Sequence, residues 1–163
     1  MPFAGQERPP VALLAFAAYA LLLSDLAARF GREVPEAYMD EPFHLGQTQA
    51  YCAGNWHEWD PKITTFPGLY LWGAASAAVQ ARFGSAQLQL GSAPPCSLEA
   101  LRALNLLPGL ATPWLLMSLL RLLHPSTPPE DIAANTAVLS LLPTHFFFHF
   151  LYYTDSAATC SVL

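Results

Sequence analysis

The chain is short of charge, and of positive charge most of all. Its 163 residues hold 7 Lys and Arg against 12 Asp and Glu, a net charge of −5 and a charged fraction of 12 %. Soluble domains carry about 25 % charged residues, so this scarcity, beside 53 % apolar residues, points to a membrane protein. No basic patch or stripe exists to hold a nucleic acid, and that class of partner is excluded. Cysteine is scarce too. Cys52, Cys96 and Cys160 are too few and too scattered for a disulfide framework or a CxxC metal site. Cys52 and Cys96 can pair only if both face an oxidising compartment.

What the chain has instead is apolar runs. Val11 to Leu23 is followed by Asp25, Arg29 and Arg32. Ala27-Ala28, followed by arginine, is a poor cleavage site, so an uncleaved membrane helix over 11–30 is expected, with Asp25 and Arg29 paired one turn apart. A second run, Phe66 to Phe83, has no charge before Arg82, but its interior is small residues and its aromatics gather at the start as Phe66, Tyr70 and Trp72. On residues alone it reads either as a minimal span or as a helix lying at the membrane surface. Residues 84–100 are a Gly, Ser and Pro-rich connector in which Pro94, Pro95, Ser97 and Glu99 announce a helix. Leu101 to Leu123 is a strong span, kinked by Pro108 and Pro113. After a polar turn at His124 to Asp131, a further span is expected over 133–153, ending at Thr154-Asp155-Ser156. Val162-Leu163 stops in mid-pattern, so the chain reads as a truncated piece. The expected fold class is an all-α membrane protein with about three transmembrane helices.

Chemistry is concentrated between Glu36 and Trp72. Asp40, Glu41, His44, His57, Glu58 and Asp60 fall within 21 positions there, punctuated by Pro42, Pro61 and Pro67. An acidic loop between membrane segments is a functional-site hypothesis by default. Asp40 or Glu41 can accept a proton; equally, Asp-Glu-Pro is an ordinary helix start. His44 follows three to four positions later, on the same helical face. Trp56, Trp59, Tyr70 and Trp72 can stack on sugars or sit at a membrane interface. His145 and His149, one turn apart among phenylalanines, are expected to pack inward.

Four stretches carry a resemblance: YMDEPFHLGQTQAYCAGN at 38–55, WDPKITTFPGLYL at 59–71, LRALNLL at 101–107 and LPTHFFFHFLYYTDS at 142–156. Together they resemble the amino-terminal part of the endoplasmic-reticulum α-1,2-glucosyltransferases that complete the lipid-linked oligosaccharide of protein N-glycosylation. The match is colinear from Glu36 to Ser156, while residues 1–35 and 84–98 carry none. Members are several-fold longer, so it covers roughly the first third of such an enzyme. More widely the chain is similar to the C-type glycosyltransferase superfamily.

The resemblance implies an incomplete C-type fold: a cytosolic tail (1–10), a first span (11–30) and a luminal catalytic loop with interfacial helices (31–100). A second span (101–123), a cytosolic loop (124–132), a third span (133–153) and a luminal end (154–163) follow. It implies an inverting transfer of glucose from dolichyl-phosphate glucose to a lipid-linked oligosaccharide, in the endoplasmic-reticulum membrane, with membrane lipid as surroundings. Asp40, or else Glu41, would be the base. His44, Trp59, Asp60, Lys62, Tyr70, Arg102 and Asp155 would contact substrates, Lys62 and Arg102 through the donor phosphate. A leaving lipid phosphate needs no divalent ion, so neither metal nor cofactor is expected. Two other readings remain: a truncated, non-catalytic membrane protein, and a related dolichyl-phosphate-sugar transferase using a different sugar.

Overall fold

A computed structural model of the protein describes residues 9–83 and 93–163. The tail at 1–8 and most of the connector expected at 84–100 lie outside these. Among the described residues, helices and turns are the only regular structure. Helix α1 is Pro9–Glu33 and α4, further on, is Leu98–Leu123. Both are long and apolar enough to cross a membrane. Their apolar side chains mostly face outward: Leu13, Leu14 and Leu21 on α1, Trp114, Leu122 and Leu123 on α4. The ion pair expected on α1 is present, with Arg29 Nε 2.8 Å from Asp25 Oδ2, and exposed. Ser97 caps α4 as its position suggested, its hydroxyl accepting Ala100 N–H at 3.2 Å.

Between them lie α2 (Glu41–Cys52) and α3 (Gly68–Phe83). At 16 residues α3 is shorter than the roughly 20 a span needs, and it packs on α2. Tyr51, Leu69, Tyr70 and Ala74 from this pair and Ile63 from the loop between them join Leu101 and Tyr152 in the buried core. Close approach depends on Gly73, where a Cβ would stand 2.5 Å from the Tyr152 hydroxyl oxygen and 2.7 Å from Thr48 Cγ2. A disulfide joins Cys52, the last residue of α2, to Cys96, just ahead of α4. It closes a long loop and so removes conformations chiefly from the unfolded chain.

The continuous third span expected over 133–153 is not formed. Instead the chain makes α5 (Pro129–Ser140), α6 (Pro143–Phe148), a non-helical stretch, and α7 (Thr154–Val162). Pro143 lacks an N–H and disfavours helical backbone in the residue before it, and Leu142 is extended at φ −56°, ψ 122°. Beyond α6 the backbone finds other partners. Asn105 Nδ2 donates to the carbonyls of Leu151 (2.6 Å) and Tyr153 (3.2 Å), and Tyr152 N–H donates to Glu41 Oε1 at 2.7 Å. Aromatic contacts seat α6 on α1, Phe30 meeting Phe147 edge-on at 5.9 Å and stacking on Phe150 at 6.2 Å. Proline also shapes the α1–α4 contact: Pro113 has no N–H for the Gly109 carbonyl one turn back, and that oxygen accepts the Tyr19 hydroxyl at 3.1 Å.

Candidate active site

Glu41 and Arg102 form the base on which the site stands. Glu41 is fully buried. Its carboxylate accepts Arg102 Nε at 2.9 Å and Arg102 Nη2, together with the backbone N–H groups of Tyr38 (2.8 Å) and Tyr152 (2.7 Å). The guanidinium also donates to the carbonyls of Val34 (2.6 Å) and Glu36 (2.9 Å) and lies 5.1 Å over the Phe30 ring. Four donors thus converge on one carboxylate, and four of the five guanidinium N–H groups are engaged. Glu41, expected as an alternative base, and Arg102, expected at the donor phosphate, here form a buried, bidentate pair.

The lock holds the next residue outward. Met39 has φ +56°, a left-handed conformation that is strained without glycine, and Asp40 follows at φ −92°, ψ 0°, as the first residue ahead of α2. Asp40 N–H donates to the Tyr153 hydroxyl at 2.6 Å. Its carboxylate makes no capping bond to α2 and is exposed. Asp155, in the first turn of α7, is exposed as well.

His44 lies between these acids. It is buried, with Nδ1 2.9 Å from the Tyr70 hydroxyl and Tyr153 edge-on to its ring at 5.1 Å. Burial pushes its pKa below the ordinary imidazole value, against the opposing pull of Asp40, Asp155 and Glu41. Near neutral pH it is an uncharged ring facing carboxylates, able to pass or accept a hydrogen bond. Tyr70 is wholly buried, and its hydroxyl also meets Thr65 Oγ1 at 2.8 Å. It is a wall of the site, with no ring face exposed among the described residues. Burial also raises its phenol pKa.

The other expected residues form a rim. Asp60 is spent on a turn, its Oδ1 accepting Lys62 N–H at 2.9 Å while its own N–H donates to Gln47 Oε1. Lys62 is exposed, with Nζ 5.5 Å from the centre of the Phe43 ring, one turn along α2 from Asp40. Trp59 is exposed and edge-on to Tyr70 at 5.7 Å. Among the described residues no three His, Cys, Asp or Glu side chains lie together in a metal-holding group.

Residues 34–163 match the model of the DIE2/ALG10 family. The chain belongs to that family. Three relatives bear the name Dol-P-Glc:Glc(2)Man(9)GlcNAc(2)-PP-Dol alpha-1,2-glucosyltransferase. The Arabidopsis thaliana protein is 40% identical over 134 residues, 80% of this chain and 26% of the relative. The Aspergillus fumigatus protein is 39% identical over 151 residues, 89% and 24%. A Homo sapiens protein is 37% identical over 140 residues, 82% and 28%. The chain thus spans about a quarter of the length of the curated relatives it matches. No solved structure matches it.

Within this DIE2/ALG10 segment, sequence reasoning passed over Tyr153 and Asn105. Tyr153 hid in an apolar run and acts through a hydroxyl 113 positions from Asp40. Asn105, a lone amide inside a span, was the one visible signal, since a buried amide needs partners.

Proposed function

We propose that this segment carries the proton-accepting centre of a glucosyltransferase. In the full-length protein it would move glucose from dolichyl-phosphate glucose to a lipid-linked oligosaccharide in an α-1,2 linkage, on the luminal face of the endoplasmic-reticulum membrane. The observation that supports this best is the contrast between the two adjacent acids. Glu41 is saturated by four donors, while Asp40 is exposed, has no capping bond, and is held by its backbone.

In the reaction a hydroxyl oxygen of the acceptor attacks the anomeric carbon of the donor. Its proton passes to Asp40, the bond from that carbon to the phosphate oxygen breaks, and dolichyl phosphate leaves with the electron pair. One base and no covalent intermediate suffice for inversion. Lys62 faces the leaving phosphate as a point charge, Trp59 offers a face to a sugar ring, and Asp155 binds acceptor hydroxyls across from Asp40. In the full-length enzyme of this proposal, the remaining walls of a pocket for two large substrates would come from parts outside this segment.

The test is Asp40→Asn in a full-length chain carrying residues 1–163, expressed in cells lacking the terminal glucosyltransferase, with the lipid-linked oligosaccharide read by mass. Loss of a general base lowers the rate on the order of 100-fold or more, so the oligosaccharide stays one glucose short at normal protein levels. Completion as usual would move the role to Glu41 or Asp155.

A further inference from the structure

Tyr153 is a residue of this site to which the sequence alone assigns no role. It is buried, extended at φ −134°, ψ 160°, and directly precedes α7, two positions before Asp155. Three contacts fix it. Its carbonyl accepts Asn105 Nδ2 at 3.2 Å, its ring tilts against Phe148 at 5.3 Å, and it stands edge-on to His44 at 5.1 Å. From that fixed position its hydroxyl accepts Asp40 N–H at 2.6 Å. An N–H ahead of a helix has no partner within the helix, and this one follows the strained Met39. The phenol therefore ties a turn that would otherwise relax to the very segment that carries Asp155.

We propose that Tyr153 is a positioning residue, its hydroxyl bond to the Asp40 backbone setting where the Asp40 carboxylate stands relative to Asp155. This rests on the reading of Asp40 as the proton acceptor. The ring contacts serve packing, whereas the hydroxyl serves placement, so Tyr153→Phe separates them: the phenylalanine keeps the contacts with His44 and Phe148 and loses only the acceptor for Asp40 N–H. Tyr153 touches no reacting atom. Its effect has to pass through Asp40.

The experiment is a double-mutant cycle in a full-length chain carrying residues 1–163, with turnover measured in membranes per mole of integrated protein, using dolichyl-phosphate glucose and the diglucosylated acceptor. Tyr153→Phe is expected to lower kcat about 10-fold or more, because small misplacement of a reacting group is costly in rate, with KM for the donor unchanged. On an Asp40→Asn background it should add no further loss, the non-additivity expected when one residue acts through another. Thr48→Val controls for loosening, since it removes buried hydroxyl bonds to Tyr152 and the His44 carbonyl in the same core without touching Asp40. A full rate for Tyr153→Phe overturns the inference, as does an additive loss on the Asp40→Asn background. A fall for Thr48→Val as large as that for Tyr153→Phe overturns it too, since general packing then explains the effect. Full activity of Asp40→Asn by itself sinks the underlying reading of the base, which is a separate failure.

Discussion

Asp40 and Glu41 are neighbours in the chain and opposites in the fold. Successive residues at a helix start point about 100° apart, so when one carboxylate turns in toward Arg102 the next must turn out. Glu41→Gln makes the difference measurable. A glutamine brings an amide NH2 into a site filled with donors and leaves the buried guanidinium uncompensated, a change that costs about 3–5 kcal/mol. Thermal unfolding of the full-length protein in detergent should fall sharply for Glu41→Gln and hardly at all for Asp40→Asn. A Glu41→Gln protein with normal stability and lost turnover would mean that Glu41, not Asp40, takes the proton. The sequence showed the acidic pair plainly, but not which member was exposed. That choice is made by Arg102, 61 positions away, together with two backbone N–H groups that are set by turns at Tyr38 and Tyr152, and no local pattern reports such partners.

At the scale of elements, α2 and α3 are pressed together by what Gly73 lacks. A methyl group there meets Tyr152, itself pinned through its hydroxyl to the Leu69 carbonyl at 2.8 Å and to Thr48 at 3.0 Å. Because these neighbours are buried and hydrogen-bonded, they cannot swing aside. Gly73→Ala should therefore destabilise by about 1–3 kcal/mol, the range for overpacking, although alanine is the better helix former. A higher melting temperature for Gly73→Ala would show that α2 and α3 part easily and are not one unit. Helices α1 and α4 were legible because long apolar runs and a Ser cap are local signals. The break of the third run was only half legible. Pro143 stands in the sequence, but hydropathy outweighs it, and the side chains that hold the backbone at 151–153 out of a helix, those of Asn105 and Glu41, lie far off in the chain.

For the whole molecule, the decisive fact is where the chain returns. It leaves α4 at His124, packs α5 back along α4, and comes by Tyr153 to the end of α4 where Asn105 and Arg102 lie. Arg102 also grips Val34 and Glu36, just past the end of α1. Asp40 and Asp155 thus share one end of the molecule, and the turn at 124–128 lies at the other. Helix α5, at 12 residues, reaches only about 18 Å, well short of the roughly 30 Å hydrocarbon core. The unwound path after α6, at 149–153, is compatible with membrane depth only where protein covers its backbone, a cover that α1 and α4 supply through Phe30 and Asn105. If α1 and α4 cross the bilayer, the two ends must face different compartments. In a Cys160→Ser background, a cysteine at Thr127 should then react with an impermeant maleimide added outside sealed microsomes. One at exposed His57 should react only after the membrane is opened. Labelling of His57 from outside would put the acidic site in the cytosol and remove the luminal assignment; labelling of both from one side would mean that α4 lies along the membrane instead of crossing it.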